Sequence, residues 1–324
     1  MEISERIKLA FLDNLIWFIA AGLYAFFAAL RPTGFLTWGN VEFILYTSST
    51  IGLLVLAEAL VLITGNLDLS LAQNAGFSAM VGGFVVGVMF PGLPGWIGLL
   101  IVISVGAAIG AFNGILIGKL GYNAFLATLV SYLIFQWATF WLRRGVITGL
   151  PASFFAPGSN TLGGVHVAIF IFVTIAIILH VVLRHTKLGL RIYATGGNSD
   201  TTEMMGIKTG NVLLYVFIIA GALAGLAGTL YIGYVGAVTS TLASGKIFSA
   251  FAGAIIGGIS LKGGRGSLLG AMGGIIMLGI LEAGLTMFAV GPAVRGVLNG
   301  VVLGVAIGLN MTISKLRDRI LMPS

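Results

Sequence analysis

The chain has 324 residues, of which 58% are hydrophobic and only 8% are charged, whereas a soluble domain carries about 25% charged residues. A water-soluble surface cannot be built from so little charge, so the composition excludes a soluble globular protein and indicates a membrane protein. The net charge of +7 comes from basic residues at the ends of apolar runs. This placement indicates that the charges orient the membrane spans, and it argues against a nucleic-acid partner. The absence of cysteine excludes a disulfide framework and a thiolate metal site.

Long apolar runs follow one another along the chain and predict an all-α membrane protein with about ten transmembrane helices in one domain, 1–324. The predicted spans are 14–31, 43–63, 68–90, 96–118, 124–142, 165–183, 211–235, 247–261, 267–290 and 294–313. With both termini cytoplasmic, twelve of the 17 Lys and Arg residues lie inside and five outside. This distribution agrees with the positive-inside rule.

Polar residues stand out within these apolar runs. The third span starts with the polar sequence TGNLDLSLAQN, which is typical of a broken helix beside a solute pathway. Carboxylates inside a membrane face a bundle interior or a water path. We therefore predict a translocation path lined by Glu58, Asn66, Asp68, Asn74, Asn113 and Glu282. The alternative is that these side chains only hold helices together.

Glycines recur at helical spacing in three later spans. Small residues let helix backbones approach closely in lipid, so each ridge predicts close packing within one subunit, with a seam between two subunits as the alternative. The ridges are Gly221, Gly225 and Gly228; Gly253 and Gly257; and Gly296, Gly300, Gly304 and Gly308. A weak similarity between residues 106–110 and 270–274, in spans of opposite direction, suggests an inverted repeat.

The longest polar stretch on the inner side is residues 184–210. Asp200 and Glu203 have the capping-box spacing, and Gly206 supplies a left-handed stop, so we predict a short helix between them. Met204 and Met205 would give that helix an adaptable apolar surface for docking another protein. The alternative is an ordinary loop helix on the membrane surface.

Motifs for catalysis are absent from the sequence. The Gly-Lys pairs at Lys119 and Lys246 are not followed by Ser or Thr, so there is no P-loop. Neither HExxH nor GxSxG occurs, and the three histidines lack metal-ligand spacing. We therefore expect a transport protein without its own ATP site, metal site or enzymatic activity.

Three segments carry a resemblance to a known family: residues 62–70 (LITGNLDLS), residues 188–198 (LGLRIYATGGN) continuing to Gly206 and Ile207, and residues 254–270 (AIIGGISLKGGRGSLLG). Together they resemble the membrane permease subunits of ribose-type bacterial ABC importers. The first is similar to that family's Thr-x-Gly-Ile-Asp-Leu-Ser signature. The second resembles its cytoplasmic coupling segment, so residues 184–210 are here called the coupling segment. The pattern extends from about residue 40 to 310.

The resemblance implies a vitamin-B12-importer-like (type II) permease bundle in a bacterial inner membrane, paired with a second permease subunit. Two ATP-binding subunits, which would hold ATP and Mg, would dock on the inner face, and a solute-binding protein would dock on the outer face. The coupling residues would be Gly196, Gly197, Asn198, Asp200, Glu203, Met204, Met205, Gly206 and Ile207.

The sequence departs from the family pattern at several positions. Asn66 stands where Gly is usual, Glu58 lies in a span that is usually uncharged, and Thr201 and Thr202 replace small alanines. We hypothesise that Glu58 contacts an extra donor group of the solute. A sugar or sugar-like solute is expected, with nucleosides or branched-chain amino acids as the alternative. An ion-coupled secondary transporter using Asp68, Glu58 and Glu282 is a further alternative.

Overall fold

A computed structural model describes the backbone of residues 3–321 and the side chains of residues 14–312, apart from those of 292, 299, 306 and 309–311. The two ends of the predicted domain, 1–324, therefore lie outside the described residues. The helices are α1 (Ile3–Leu30), α2 (Pro32–Phe35), α3 (Trp38–Ile63), α4 (Leu71–Phe84), α5 (Gly95–Gly118), α6 (Ala124–Leu142), α7 (Ala152–Ser159), α8 (Val167–His185), α9 (Lys187–Gly197), α10 (Ser199–Met204), α11 (Thr209–Val235), α12 (Lys246–Ile256), α13 (Leu268–Met287) and α14 (Pro292–Leu321). Strands β1 (Val146–Ile147) and β4 (Val238–Thr239) pair antiparallel, as do β2 (Thr161–Leu162) and β3 (Val165–His166).

Seven helices of the described chain are long and apolar enough to cross a membrane. They are α3, α5, α6, α8, α11, α13, and α4 together with the π-helical turn Val85–Met89 that extends it. Three shorter apolar helical stretches, Asn14–Leu30, Lys246–Ile256 and Ala293–Val305, fall where the remaining three spans were predicted. The structure thus confirms an all-α membrane protein.

Helix α3 is the centre of the bundle, because every residue from Gly52 to Thr64 is buried. Helix α11 crosses it and packs along α5, which presents a row of glycines to it. A Cβ on Gly118 of α5 would lie 2.5 Å from Gly210 O of α11. Lipid tails are as apolar as the side chains, so such close van der Waals packing, not hydrophobic burial, holds these helices together.

The bundle has two distinct ends. At one end, here called the α7 end, α7 packs on the last turns of α11, where a Cβ on Gly158 would lie 2.8 Å from Gly233 Cα. At the other, here called the α9–α10 end, the carbonyl of Ile63 at the end of α3 accepts a hydrogen bond of 2.8 Å from Gly264 N. Helix α9 ends beside this contact, because Gly196 packs against both residues.

The boundaries of two predicted spans need correction. The third span does not begin as a helix at residue 68: residues 64–70 are non-helical, and α4 starts at Leu71. Ser70 N donates to Asp68 Oδ1 at 2.9 Å instead of continuing a helix. The eighth span, predicted to reach residue 261, ends at Ile256, because Gly258 takes a positive φ of 85°.

The predicted cap of the coupling helix is also wrong. The coupling segment holds two helices, α9 and α10, and Asn198, not Asp200, caps α10 by accepting from Thr201 N at 2.9 Å. Glu203 does not reach back to the cap but accepts a hydrogen bond from Thr209 Oγ1 at the start of α11. The predicted left-handed stop is confirmed, since Gly206 has φ 82°.

Candidate functional site

A cavity of about 130 Å³ lies among α3, α11, α12 and α13, on the side toward the α7 end. It is lined by Thr47, Thr50, Ile51, Tyr231, Tyr234, Val235, Leu242, Lys246, Ser249, Leu278, Gly279, Leu281 and Glu282. Five of these side chains carry hydroxyl groups, one is an ammonium and one is a carboxylate. The cavity is smaller than the roughly 300–1,000 Å³ typical of pockets for drug-sized molecules, so it suits a small polar solute.

The charged wall of this cavity is fixed by an ion pair. Arg295 Nη1 on α14 lies 2.7 Å from Glu282 Oε1 on α13, and both side chains are partly exposed. The same nitrogen donates to Thr286 Oγ1 at 3.0 Å, and Arg295 Nε donates to Val290 O at 2.7 Å. Arg295 therefore holds Glu282 at the cavity while tying α13 to the beginning of α14.

Aromatic side chains continue the site toward the α7 end. The ring of Tyr234, which lines the cavity, lies 5.3 Å from that of Tyr46 on α3. Tyr46 stacks on His166 with the centroids 3.7 Å apart and donates from its hydroxyl to Gly158 O at 2.5 Å. His166 Nδ1 is 2.5 Å from Glu42 Oε1. This cluster ties the start of α3 to the start of α8 and supports one wall of the site.

A second polar group is buried at the other side of the bundle, toward the α9–α10 end. Asp68 Oδ1 accepts from Ser70 Oγ at 2.6 Å, and Ser70 Oγ accepts from Asn113 Nδ2 at 2.9 Å. Asn113 Oδ1 in turn accepts from Ser131 Oγ at 2.5 Å. Asp68 N is 3.4 Å from Glu58 Oε1, and Glu58 has no exposed surface. The chain of contacts joins α3, α4, α5 and α6.

The predicted path residues therefore divide into groups. Glu58, Asp68 and Asn113 come together in this buried chain, and Asn74 lies nearby on α4, donating to Gly106 O at 3.1 Å. The side-chain amide of Asn66 donates only to Thr64 among the described hydrogen bonds.

Glu282 is apart from all of them, in the cavity. That these six residues line a translocation path stays a prediction. A path would reach the buried residues Glu58, Asp68 and Asn113 only after the helices move.

The carboxyl of Glu58 is incompletely bonded in this arrangement. Its Oε2 atom is buried without a hydrogen-bond partner. Glu58 and Asp68 place two carboxyl groups here without a described ion pair. Ionising either carboxyl group inside the bundle therefore costs free energy. The described part of the chain nevertheless contains no cluster of three or more His, Asp or Glu side chains that could hold a metal ion.

Most of the coupling residues lie on the surface at the α9–α10 end, whereas Gly196 packs against Ile63 and Gly264. Met204 and Met205 are 88% and 68% exposed, and Asp200 and Glu203 are exposed beside them. Ile207 N donates to Thr202 O at 3.3 Å, which folds the chain back after Gly206. A partner could therefore contact the two methionines without rearrangement of the segment.

Several residues that line the cavity could not be predicted from the sequence. Tyr231, Tyr234 and Ser249 look like ordinary members of apolar helices, and Lys246 looks like a helix-end cation. The detectable signal was the spacing of polar residues on one face, since Thr47 and Thr50, and Lys246 and Ser249, are each three residues apart. Of the residues that line the cavity, only Glu282 is among the predicted path residues, because it is a carboxylate in an apolar run.

Comparison with known proteins identifies the family. Residues 40–307 match the family model described as branched-chain amino acid transport system / permease component. The ribose import permease protein RbsC of Escherichia coli K12 is 30% identical over 88% of this chain and 89% of its own. The D-allose transport system permease protein AlsC of the same strain is 31% identical over 92% and 91%.

A third relative, the galactose/methyl galactoside import permease protein MglC of Haemophilus influenzae, is 29% identical over 92% of this chain and 94% of its own. No solved structure matches the chain significantly. These matches confirm the resemblance to permease subunits of ribose-type ABC importers. The chain therefore belongs to the family of permease components of branched-chain amino acid transport systems, as a multi-pass membrane transport subunit and not an enzyme.

Proposed function

We propose that this permease subunit imports a sugar or sugar-like solute through the cavity that contains Glu282. The observation that carries the proposal is the lining of the cavity, which combines the hydroxyl-bearing residues Thr47, Thr50 and Ser249 with two tyrosines. Sugars are small, rich in hydroxyl groups and able to pack on aromatic faces. The relatives RbsC, AlsC and MglC are permeases for ribose, D-allose and galactose or methyl galactoside, which supports this solute class.

The proposed membrane arrangement has ten spans and cytoplasmic termini. The shorter helices α12 and α14 and the apolar part of α1 then join the seven long spans. In this arrangement the α9–α10 end faces the cytoplasm and the cavity opens toward the outer face. The type II bundle and the inverted repeat implied by the sequence are part of this proposal, as is the bacterial inner membrane.

The proposed partners follow from the two faces. Two ATP-binding subunits, which hold ATP and Mg, would dock on Met204, Met205 and their neighbours, and a solute-binding protein would dock at the α7 end. A second permease subunit would pack on the Gly296–Gly308 face of α14, where a Cβ on any of the four ridge glycines meets nothing within 4 Å of this chain. Work from ATP would then rock the helices around the cavity.

The test is uptake by the complete complex in proteoliposomes. The permease is reconstituted with its ATP-binding subunits and binding protein, and radiolabelled D-ribose, D-allose and D-galactose are compared with uridine and L-leucine. We expect ATP-dependent uptake of at least one sugar and no uptake of uridine or L-leucine. Uptake of uridine or leucine but of no sugar would show that the proposed solute class is wrong. Uptake without the ATP-binding subunits would favour an ion-coupled secondary transporter.

A further inference from the structure

Four glycines bring three separate chain segments into backbone contact at the α9–α10 end. Gly196 lies in the last turn of α9, Gly65 follows α3, and Gly263 and Gly264 lie between α12 and α13; together they are called the glycine junction. A Cβ on Gly264 would lie 2.7 Å from Gly197 Cα, and one on Gly263 would lie 2.6 Å from Gly65 N. No side chain separates the coupling segment from the ends of these membrane helices.

Hydrogen bonds fasten the junction. Gly264 N donates to Ile63 O at 2.8 Å, which joins the α12–α13 connection to the end of α3. The hydroxyl of Tyr193 on α9 donates to Gly266 O at 2.8 Å, which joins the coupling segment to the same connection. Burial raises the pKa of Tyr193, so its hydroxyl remains a donor at neutral pH.

The helices that meet at the junction are those that reach the cavity. Helix α3 carries Thr50 and ends at Ile63, while α12 begins with Lys246 and α13 carries Glu282. Helices of this kind move as rigid elements, so a displacement at one end reaches the other. The coupling segment is therefore one backbone contact away from three of the four walls of the cavity.

The fourth wall, α11, has its own link. Thr209 Oγ1 at the start of α11 donates to Glu203 of α10. Helix α10 in turn is tied to α9 by Thr202 Oγ1, which lies 2.9 Å from Ala194 O. The coupling segment thus contacts α11 through one side-chain hydrogen bond and the other three helices through the junction.

We propose that Tyr193 and the glycine junction are positioning elements that transmit movement of the coupling segment to α3 and the α12–α13 pair, and so to the cavity. The inference rests on the proposed function in taking α9–α10 as the site where the ATP-binding subunits act. It adds that the junction, rather than the exposed methionines alone, decides how much of that movement reaches the solute. Tyr193 acts through Gly266 and has no contact with the cavity.

The first experiment measures coupling in the reconstituted complex with Tyr193→Phe, which removes only the hydroxyl. The readout is D-ribose imported per ATP hydrolysed, with D-allose and D-galactose in parallel. We expect this ratio to fall about fivefold, the effect of one net hydrogen bond on an equilibrium, while ATP hydrolysis continues. Tyr122→Phe is the matched control, because the hydroxyl of Tyr122 makes no hydrogen bond among the described residues and its side chain is exposed.

A glycine pair tests the junction itself. Gly264→Ala and Gly258→Ala impose the same backbone strain, since the two φ angles are 68° and 85°, but only the first Cβ meets a neighbour. We expect the import-to-hydrolysis ratio to fall for Gly264→Ala and to stay near the wild-type value for Gly258→Ala. A merely structural role would lower import and hydrolysis together and leave the ratio unchanged, which would overturn the proposal.

A readout that needs no solute separates this inference from the proposed function. The chain has no cysteine, so Ser249→Cys can carry a single environment-sensitive fluorophore in the cavity. Adding a non-hydrolysable ATP analogue to the complex should change its fluorescence, and Tyr193→Phe should remove most of that change. An unchanged response in Tyr193→Phe, or no response in either protein, contradicts the proposed transmission. Failure to import any sugar would contradict only the solute class.

Discussion

Gly106 in α5 and Gly221 in α11 face each other so closely that a Cβ on Gly106 would lie 2.5 Å from Gly221 O. About two turns further along α5, a Cβ on Gly114 would lie 3.0 Å from Leu214 Cα. The two helices therefore touch through their backbones over several turns. In a bilayer this contact area is a main source of helix association, because burial of apolar surface gives no advantage over lipid.

We expect Gly106→Val to lower the thermal stability of the protein in detergent. The added side chain must push α5 away from α11, and overpacking of this kind costs about 1–3 kcal/mol. Gly22→Val on α1 is the control, because a Cβ there meets nothing within 4 Å. The measurement is the midpoint of thermal unfolding of the two purified variants, and equal midpoints would mean that the α5–α11 contact contributes little.

The buried chain of polar contacts gives a second prediction about stability. Asn113→Leu keeps the branched shape and the number of side-chain heavy atoms but leaves the hydroxyls of Ser70 and Ser131 without their bonds to it. Each buried polar group that loses its partner costs about 1–3 kcal/mol. We expect a loss of about 2 kcal/mol or more, measured by thermal or denaturant unfolding.

Two variants control this prediction. Asn160→Leu changes an exposed asparagine and should be nearly neutral, whereas Ser131→Ala removes one of the two bonds and should have an intermediate effect. If Asn113→Leu were as stable as Asn160→Leu, the chain of contacts from Asp68 to Ser131 would not hold the four helices together.

The sequence predicted which polar residues lie inside the bundle but not how they are bonded. Glu58, Asp68 and Asn113 are recognisable because polar groups are rare in apolar runs. Their connection depends on Ser70 and Ser131, and serines are common in membrane helices as neutral small residues. Asn113 and Ser70 are 43 positions apart in the chain, and no local rule relates two residues on different helices. Only the packing of α4 against α5 brings them together.

The cap of α10 was mispredicted for a local reason. Asn198 and Asp200 are both good capping residues, and only Asp200 has a glutamate three positions later. The backbone decides between them: α9 runs to Gly197 and leaves Asn198 in an extended conformation, with φ −163° and ψ 106°. Glu203 is then free to accept from Thr209. The cavity was missed similarly, because its walls come from four helices that are distant in sequence.

We expect Glu282→Gln to reduce import several-fold with little change in stability. The substitution removes the charge that faces the cavity and weakens the ion pair with Arg295, but partly exposed ion pairs contribute only about 0.2–1 kcal/mol to folding. Uptake of D-ribose, D-allose and D-galactose by the reconstituted complex is compared with the unfolding midpoint.

The outcome distinguishes two roles of Glu282. If import falls while the midpoint is unchanged, the carboxylate acts on the solute or on the opening of the cavity. If both change together, Glu282 serves to join α13 to α14, and the cavity loses its strongest candidate for solute contact. Import equal to that of the wild-type protein would remove Glu282 from the path.

The last prediction concerns the ridge of Gly296, Gly300, Gly304 and Gly308 on α14. In this chain a Cβ at position 300 would meet nothing within 4 Å, and Leu has a higher helix propensity than Gly. Gly300→Leu should therefore leave the single subunit at least as stable as before. If a second permease subunit packs on this face, the same side chain must separate the two helices, because close approach needs small residues.

We expect Gly300→Leu to shift the purified permease from two copies per particle toward one, as measured by light scattering after size-exclusion chromatography. Gly22→Leu on the exposed face of α1 is the matched control and should keep two copies, since a lipid-facing glycine tolerates the change. A Gly300→Leu protein that still forms pairs would place the seam on another helix and leave the α14 ridge facing lipid. Because a Cβ at position 300 meets no atom of its own chain, a loss of pairing would point to contact between subunits at α14.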